Sequence, residues 1–161
     1  MAYPDCYQNS DEYRQKLSNR MSKQIRENPP KNTYSRGKRG VVEIDGRSIF
    51  MRSSWEANIA SYLQFLKENR EIQEWEYEPE TFWFEKIKRG VRSYLPDFKI
   101  TKPDNSTYFI EVKGWMDARS KTKINRMRIY YPKITLEVID SKRYKEICKS
   151  KALFRDWGKL D

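Results

Sequence analysis

Three ionisable side chains in the stretch YLPDFKITKPDNSTYFIEVKGW, residues 94–115, could do chemistry together: Asp97, Glu111 and Lys113. The stretch reads as a β-hairpin that turns at Pro103-Asp104-Asn105-Ser106. Strand side chains alternate between faces. Tyr108, Ile110 and Val112 therefore share one face, and Phe109, Glu111 and Lys113 share the other. A three-residue loop with a bulge would set Asp97 opposite Glu111. A two- or four-residue loop would make them diagonal neighbours. Either register brings two carboxylates and one ammonium together. Opposed carboxylates repel and weaken the pairing. A divalent cation between them reverses the sign, and Mg²⁺ prefers oxygen ligands completed by water and phosphate. That chemistry is in-line displacement at phosphorus, with Lys113 aligning or deprotonating the attacking water or stabilising phosphoryl charge. The plain alternative is an exposed Glu111–Lys113 pair on a solvated face, with Pro96-Asp97 merely opening a strand.

A helix must precede this hairpin. In SSWEANIASYLQFLKEN, Ile59, Tyr62, Leu63 and Leu66 recur at helical spacing after Trp55. Ser53 to Glu56 fits the capping box, in which Glu56 would bond back to the Ser53 amide. Glu56 also leads the face of Ile59, Ala60 and Leu63, which should pack on a sheet. A carboxylate there is costly unless paired or metal-bound, so Glu56 is a candidate member of the site. The helix start at Arg52, Ser53 and Ser54 is a candidate phosphate contact.

Around these elements the chain reads as alternating structure. GVVEIDGRSIFMRSS carries Asp45-Gly46 between two β-prone runs, a hairpin signal. From Ser53 the expected order is helix, three strands, helix, strand, helix. An antiparallel meander followed by a helical crossover makes an α/β domain with a mixed sheet. The helix after Gly114 bears Arg119, Lys121, Lys123, Arg126 and Arg128, close enough in sequence to the three ionisable residues to be read as contacts to the phosphates of a polyanion. Trp115 is expected in a core or at its rim, and Tyr130 and Tyr144 in packing. Cys148 is expected to be buried in the last helix, SKRYKEICKSKALF. Five glutamates in EIQEWEYEPE are expected to form an exposed acidic edge, with Glu78 and Glu80 as lesser candidates for a metal site.

Pro96-Asp97 followed by Glu111-Val112-Lys113 on the next strand resembles the PD-(D/E)xK motif of the restriction-endonuclease-like superfamily. The resemblance covers about residues 47–140. It implies a core in αβββαβ order, a mixed central sheet flanked by helices. It also implies an Mg²⁺-dependent nuclease, with Mn²⁺ as a substitute, acting on DNA. Asp97, Glu111 and the Val112 carbonyl would bind metal, Glu56 would assist, and Lys113 would serve the nucleophile. The wider run RSSWEANIASYL…WEYEP…YLPDF…FIEVKGW is also similar to small phage-type endonucleases and Holliday-junction resolvases of that superfamily.

Composition agrees with such a partner. The chain has 161 residues, 33 Lys and Arg against 23 Asp and Glu, and a net charge of +10, a balance that favours a polyanion. From Tyr13 to Gly40 nine basic residues face one acid, Glu27. Residues 1–40 read as a basic arm, with a short helix from Asp11 to Glu27 and a loop whose Arg36, Lys38 and Arg39 could track phosphates or build a dimer. Residues 41–161 read as the nuclease domain. The absence of histidine excludes a histidine base and the usual zinc spacings. No apolar run suits a membrane span or a signal peptide, so a cytoplasmic protein is expected, in a host cell if it is of phage origin. Small size without a sequence-reading module favours structure-selective cutting of branched DNA by a homodimer. The rivals are a sequence-specific or transposon-end nuclease and a non-catalytic basic nucleic-acid-binding module.

Overall fold

A computed structural model describes residues 38–160. Asp45 and Gly46 turn its first hairpin with φ of 53° and 68°, the left-handed pair of a type I′ turn. The turn joins β1 (Gly40–Ile44) to β2 (Arg47–Met51), paired antiparallel with Ile44 opposite Arg47. β1 alternates, so Val42 and Ile44 enter the core while Val41 and Glu43 face out. Next comes α1 (Ser54–Glu68), capped by the Ser53 hydroxyl, which accepts from the Glu56 amide. Its Ala57, Ile59, Ala60 and Leu63 are buried.

Five strands follow where three were expected. They are β3 (Glu74–Tyr77), β4 (Phe82–Trp83), β5 (Ser93–Tyr94), β6 (Phe98–Thr101) and β7 (Thr107–Val112). β4 and β5 pair only with each other, outside the main sheet. Their Phe82 and Tyr94 cluster with Phe84, Phe109 and Met127, so apolar contacts to the rest of the domain hold the side ladder. Then α2 (Ala118–Tyr130) crosses to β8 (Leu136–Ile139), which pairs parallel to β7. A parallel return requires such a crossover.

The main sheet runs β3-β6-β7-β8, antiparallel except for that last pair. The described residues thus form a mixed α/β fold with three helices and a mixed sheet. Phe98, Ile100, Ile110 and Val112 pack with Ile59, Ala60 and Leu63 of α1. Phe109, from the opposite face of β7, packs with Met127 of α2. The hairpin is therefore covered on both sides, not half-solvated. Among the described residues no helix is long and apolar enough to cross a membrane.

The last helix, α3 (Ser141–Cys148), is shorter than expected, and a 3₁₀ turn follows at Lys151–Leu153. The break turns Phe154 inward against Tyr62, Phe65 and Trp157. Cys148, the last residue of α3, is only half-buried, contrary to expectation.

Candidate active site

The loop of the β6–β7 hairpin decides the register. Lys102 N–H donates to the Ser106 carbonyl at 2.8 Å, and Asn105 N–H to the Lys102 carbonyl at 2.9 Å. Asn105 has φ 62°. This is a three-residue loop with a left-handed last position. Phe98 then faces Ile110, the last pair of the ladder. Asp97 stands at the bend just before β6, near enough to Glu111 for that charge to act on its carboxyl. The Asp97 carboxylate also accepts the Val112 N–H at 2.7 Å, so Val112 serves the site through its amide.

Glu111 is 5% exposed, which rules out the solvated-pair alternative. Its two oxygens are partnered, one by the Lys113 ammonium at 3.3 Å and one by the Tyr94 hydroxyl at 2.8 Å. Burial, then the charges of Glu111 and Glu56, hold the Asp97 carboxyl well above the usual aspartate range. The Val112 amide and Lys113 oppose that shift without cancelling it. Burial and the neighbouring Glu111 charge push the Tyr94 hydroxyl up as well, so it stays a donor.

A buried carboxyl held above its usual range beside other carboxylates, as Asp97 is, wants a proton or a cation. The donors are all oxygen, which suits Mg²⁺ or Mn²⁺. Among the described residues no group of three or more acidic or cysteine side chains closes into a metal cage. Two carboxylates that leave the other positions to water and phosphate are a common Mg²⁺ arrangement.

Glu56 is buried at the α1 start and fully engaged. It accepts from the Ser53 hydroxyl at 2.8 Å, the Arg52 amide at 3.1 Å and the Tyr77 hydroxyl at 2.7 Å. The capping bond thus goes to the Arg52 amide and not to that of Ser53. Glu56 nevertheless lies close enough to raise Asp97. Tyr77 belongs to β3, and burial followed by Glu56 raises its hydroxyl too.

The acidic stretch does lie at the edge strand β3, with Glu71 and Glu76 exposed, but three of its glutamates are paired. Glu78 pairs with Arg52 at 2.9 Å, with its side chain 10% exposed, and its N–H donates to the Asp97 carbonyl at 2.8 Å. Glu74 pairs with Lys67 and Glu80 with Lys99. Only Glu78 is drawn back from solvent; the Glu74 and Glu80 side chains stay 43% and 42% exposed.

The candidate DNA contacts separate into groups. Arg119, Lys121 and Arg128 are exposed on α2 and make no ion pair with another described residue. Arg126 donates to the Val91 carbonyl. Lys123 is half-buried, its ammonium 5.7 Å from the centre of the Tyr94 ring. Burial lowers its pKa; Glu111 pulls the other way, and Lys113 and Arg119 add to the lowering. Lys38 is exposed and Arg39 half-buried. Arg36 and the expected helix from Asp11 to Glu27 lie outside the described residues. Trp115, expected in the core or at its rim, is 82% exposed. Tyr144 is buried as expected, stacked on Trp55 with ring centres 3.9 Å apart.

Tyr94, Tyr77 and the inward position of Lys123 escaped sequence reading. Tyr94 stands three residues before Asp97, but nothing in SYLPDF shows that the chain folds over the Glu111 face there.

The chain belongs to the family described as "Protein of unknown function (DUF1064)", whose model matches residues 34–146. The matched span contains Glu56, Asp97, Glu111 and Lys113. No curated protein and no solved structure matches the chain.

Proposed function

We propose that the protein is a divalent-metal-dependent endodeoxyribonuclease of the restriction-endonuclease-like superfamily, selective for branched DNA and acting as a homodimer. The supporting observation is the cluster at the end of the hairpin: Asp97 bonded to the Val112 amide and raised by burial and the neighbouring charge of Glu111, with Glu111 buried and the Lys113 ammonium 3.3 Å from it. The order α1, β3, β6, β7, α2, β8 also agrees with the αβββαβ core of that superfamily, with β4 and β5 inserted between two of its strands.

Asp97 and Glu111 would hold Mg²⁺ or Mn²⁺, with the Val112 carbonyl and a rearranged Glu56 as further oxygen ligands. When bound, the cation supplies Lewis-acid charge to the phosphoryl group and acidifies water. Tyr94 orients Glu111 by donating to it, and Glu111 in turn positions Lys113. The Lys113 ammonium then orients the attacking water or neutralises charge on the scissile phosphate. Arg119 and Lys121, on the first turn of the following helix, would hold neighbouring phosphates.

Cleavage of a labelled four-way junction, beside matched linear duplex, single strands and an RNA duplex, tests this reading with Mg²⁺, Mn²⁺ and EDTA. Paired cuts in the junction, absent in EDTA and in Asp97→Asn and Lys113→Ala, are expected. Cuts at fixed sites in linear duplex would replace junction selectivity with sequence selectivity. Tight binding by wild type and variants without cleavage would replace the enzyme by a binding module.

A further inference from the structure

Trp115 is the most exposed of the large apolar side chains described, at 82%. It stands two residues from Lys113, so their Cα atoms are at most about 7 Å apart. The backbone between them is anchored. Lys113 N–H donates to the Ile139 carbonyl at 2.9 Å. A Cβ on Gly114 would come within 3.2 Å of the Trp55 ring, so the chain lies directly on that ring. Beyond Trp115, the Asp117 carboxylate accepts the Ser120 N–H at 2.6 Å and starts α2. The short link that carries Trp115 is therefore tied down on both sides.

The surroundings are cationic. Arg119 and Lys121 are exposed on the next turn. Met116 lines a groove of about 680 Å³ with Lys121, Thr122, Asn125 and Arg128. One acid, Asp140, also lines it, and its carboxylate is engaged by the Arg143 N–H at 2.9 Å. An exposed indole beside a basic groove is the combination that binds nucleotides through ring stacking and phosphate contact together.

We propose that Trp115 is a stacking platform for an unstacked base next to the phosphate that would approach Lys113 beside Asp97 and Glu111. Nucleotides in a stacked strand advance about 3.4 Å each, so that base is one or two nucleotides from the scissile phosphate. Inside continuous duplex both faces of every base are covered by its neighbours. The indole face is therefore usable only where a neighbour is missing, at a branch point, a flap or a single strand. The inference rests on the nuclease reading of the site and names the substrate feature that the site selects.

The test measures binding in EDTA, so it does not require hydrolysis. Full-length wild type, Trp115→Ala and Trp115→Phe are titrated by fluorescence anisotropy against a four-way junction, a single strand and a blunt linear duplex. Trp115→Ala is expected to weaken junction and single-strand binding by about tenfold or more. It should leave duplex binding within about twofold, and Trp115→Phe should recover most of the loss. Melting curves for both variants separate this from misfolding. An equal loss on all three DNAs, or no loss on any, overturns the proposal; the second result would assign the ring to a protein contact. If wild type cuts nothing yet the selective loss is seen, the nuclease reading fails and the stacking platform stands. If wild type cuts and Trp115→Ala loses nothing, the reverse holds.

Discussion

Asp97 is the residue on which chemistry and stability meet. Burial, Glu111 and Glu56 raise its proton affinity above that of an ordinary aspartate, whose pKa is 3.8. The metal-free folded state therefore keeps a proton that the unfolded chain has released. With more protons bound when folded, stability falls as pH climbs from 3.8 toward the raised value, by at most about 1.4 kcal/mol per unit. Asp97→Asn keeps an acceptor for the Val112 amide and removes the ionisation. In EDTA it should melt higher than wild type at pH 8 and about equal to it near pH 3.5. Adding Mg²⁺ should raise the melting temperature of wild type and not that of Asp97→Asn, while the variant loses about a hundredfold or more in cleavage. A melting temperature in EDTA that rises with pH would contradict the carboxylate cluster. Tyr94 acts one step back. Tyr94→Phe leaves one Glu111 oxygen without its donor, so cleavage should drop about ten- to a hundredfold, as for residues that orient ligands. Metal affinity, read by titrating Mg²⁺ against melting temperature, should weaken in parallel.

At the scale of elements, the site depends on how α1 is seated against the end of β7. Trp55 lies between the Gly114 backbone and Tyr144, and Tyr144 in turn lies beside Trp157 at 5.9 Å. The ring has little room to retreat from a new methyl group, so Gly114→Ala should cost about 1–3 kcal/mol by overpacking. Trp55→Phe should relieve part of that cost, and a double-mutant cycle by chemical denaturation would show coupling between the two positions. Equal losses with and without the indole would place the strain elsewhere. Much of this seating was open to sequence reading. Asp45-Gly46 specified its hairpin, the Ser53–Glu56 spacing located the helix start, and strand alternation paired Glu111 with Lys113. The three-residue loop is one of the turns the sequence allows, and the left-handed Asn105, φ 62°, is what selects it. Alternation also says which residues share a face, not what covers that face. So the second cluster over Phe109 could not be read, nor could Tyr94 over Glu111. The break after Cys148 was hidden because SKRYKEICKSKALF contains no proline or glycine to announce it.

For the whole molecule, the net charge of +10 matters through where it is free to act. α2 carries five cations, and the fold gives them different work. Arg126 holds the Val91 carbonyl and Lys123 is half-buried beside Tyr94. Arg119, Lys121 and Arg128 face solvent. If the last three meet phosphates, each releases about 0.9 of a counterion from duplex DNA on binding. Replacing all three by alanine should lower the slope of log affinity against log salt by about 2.7. The weakening should be uniform across DNA sequences, because phosphate contacts carry no base information. Arg126→Ala should behave differently. It leaves a backbone carbonyl without its donor, so the melting temperature should fall while the salt slope changes by much less than 0.9. Affinities measured from about 50 to 200 mM salt, with melting curves for each variant, separate the two roles. A full 0.9 change in slope for Arg126→Ala, without loss of stability, would place its guanidinium on DNA and remove it from the fold's own support.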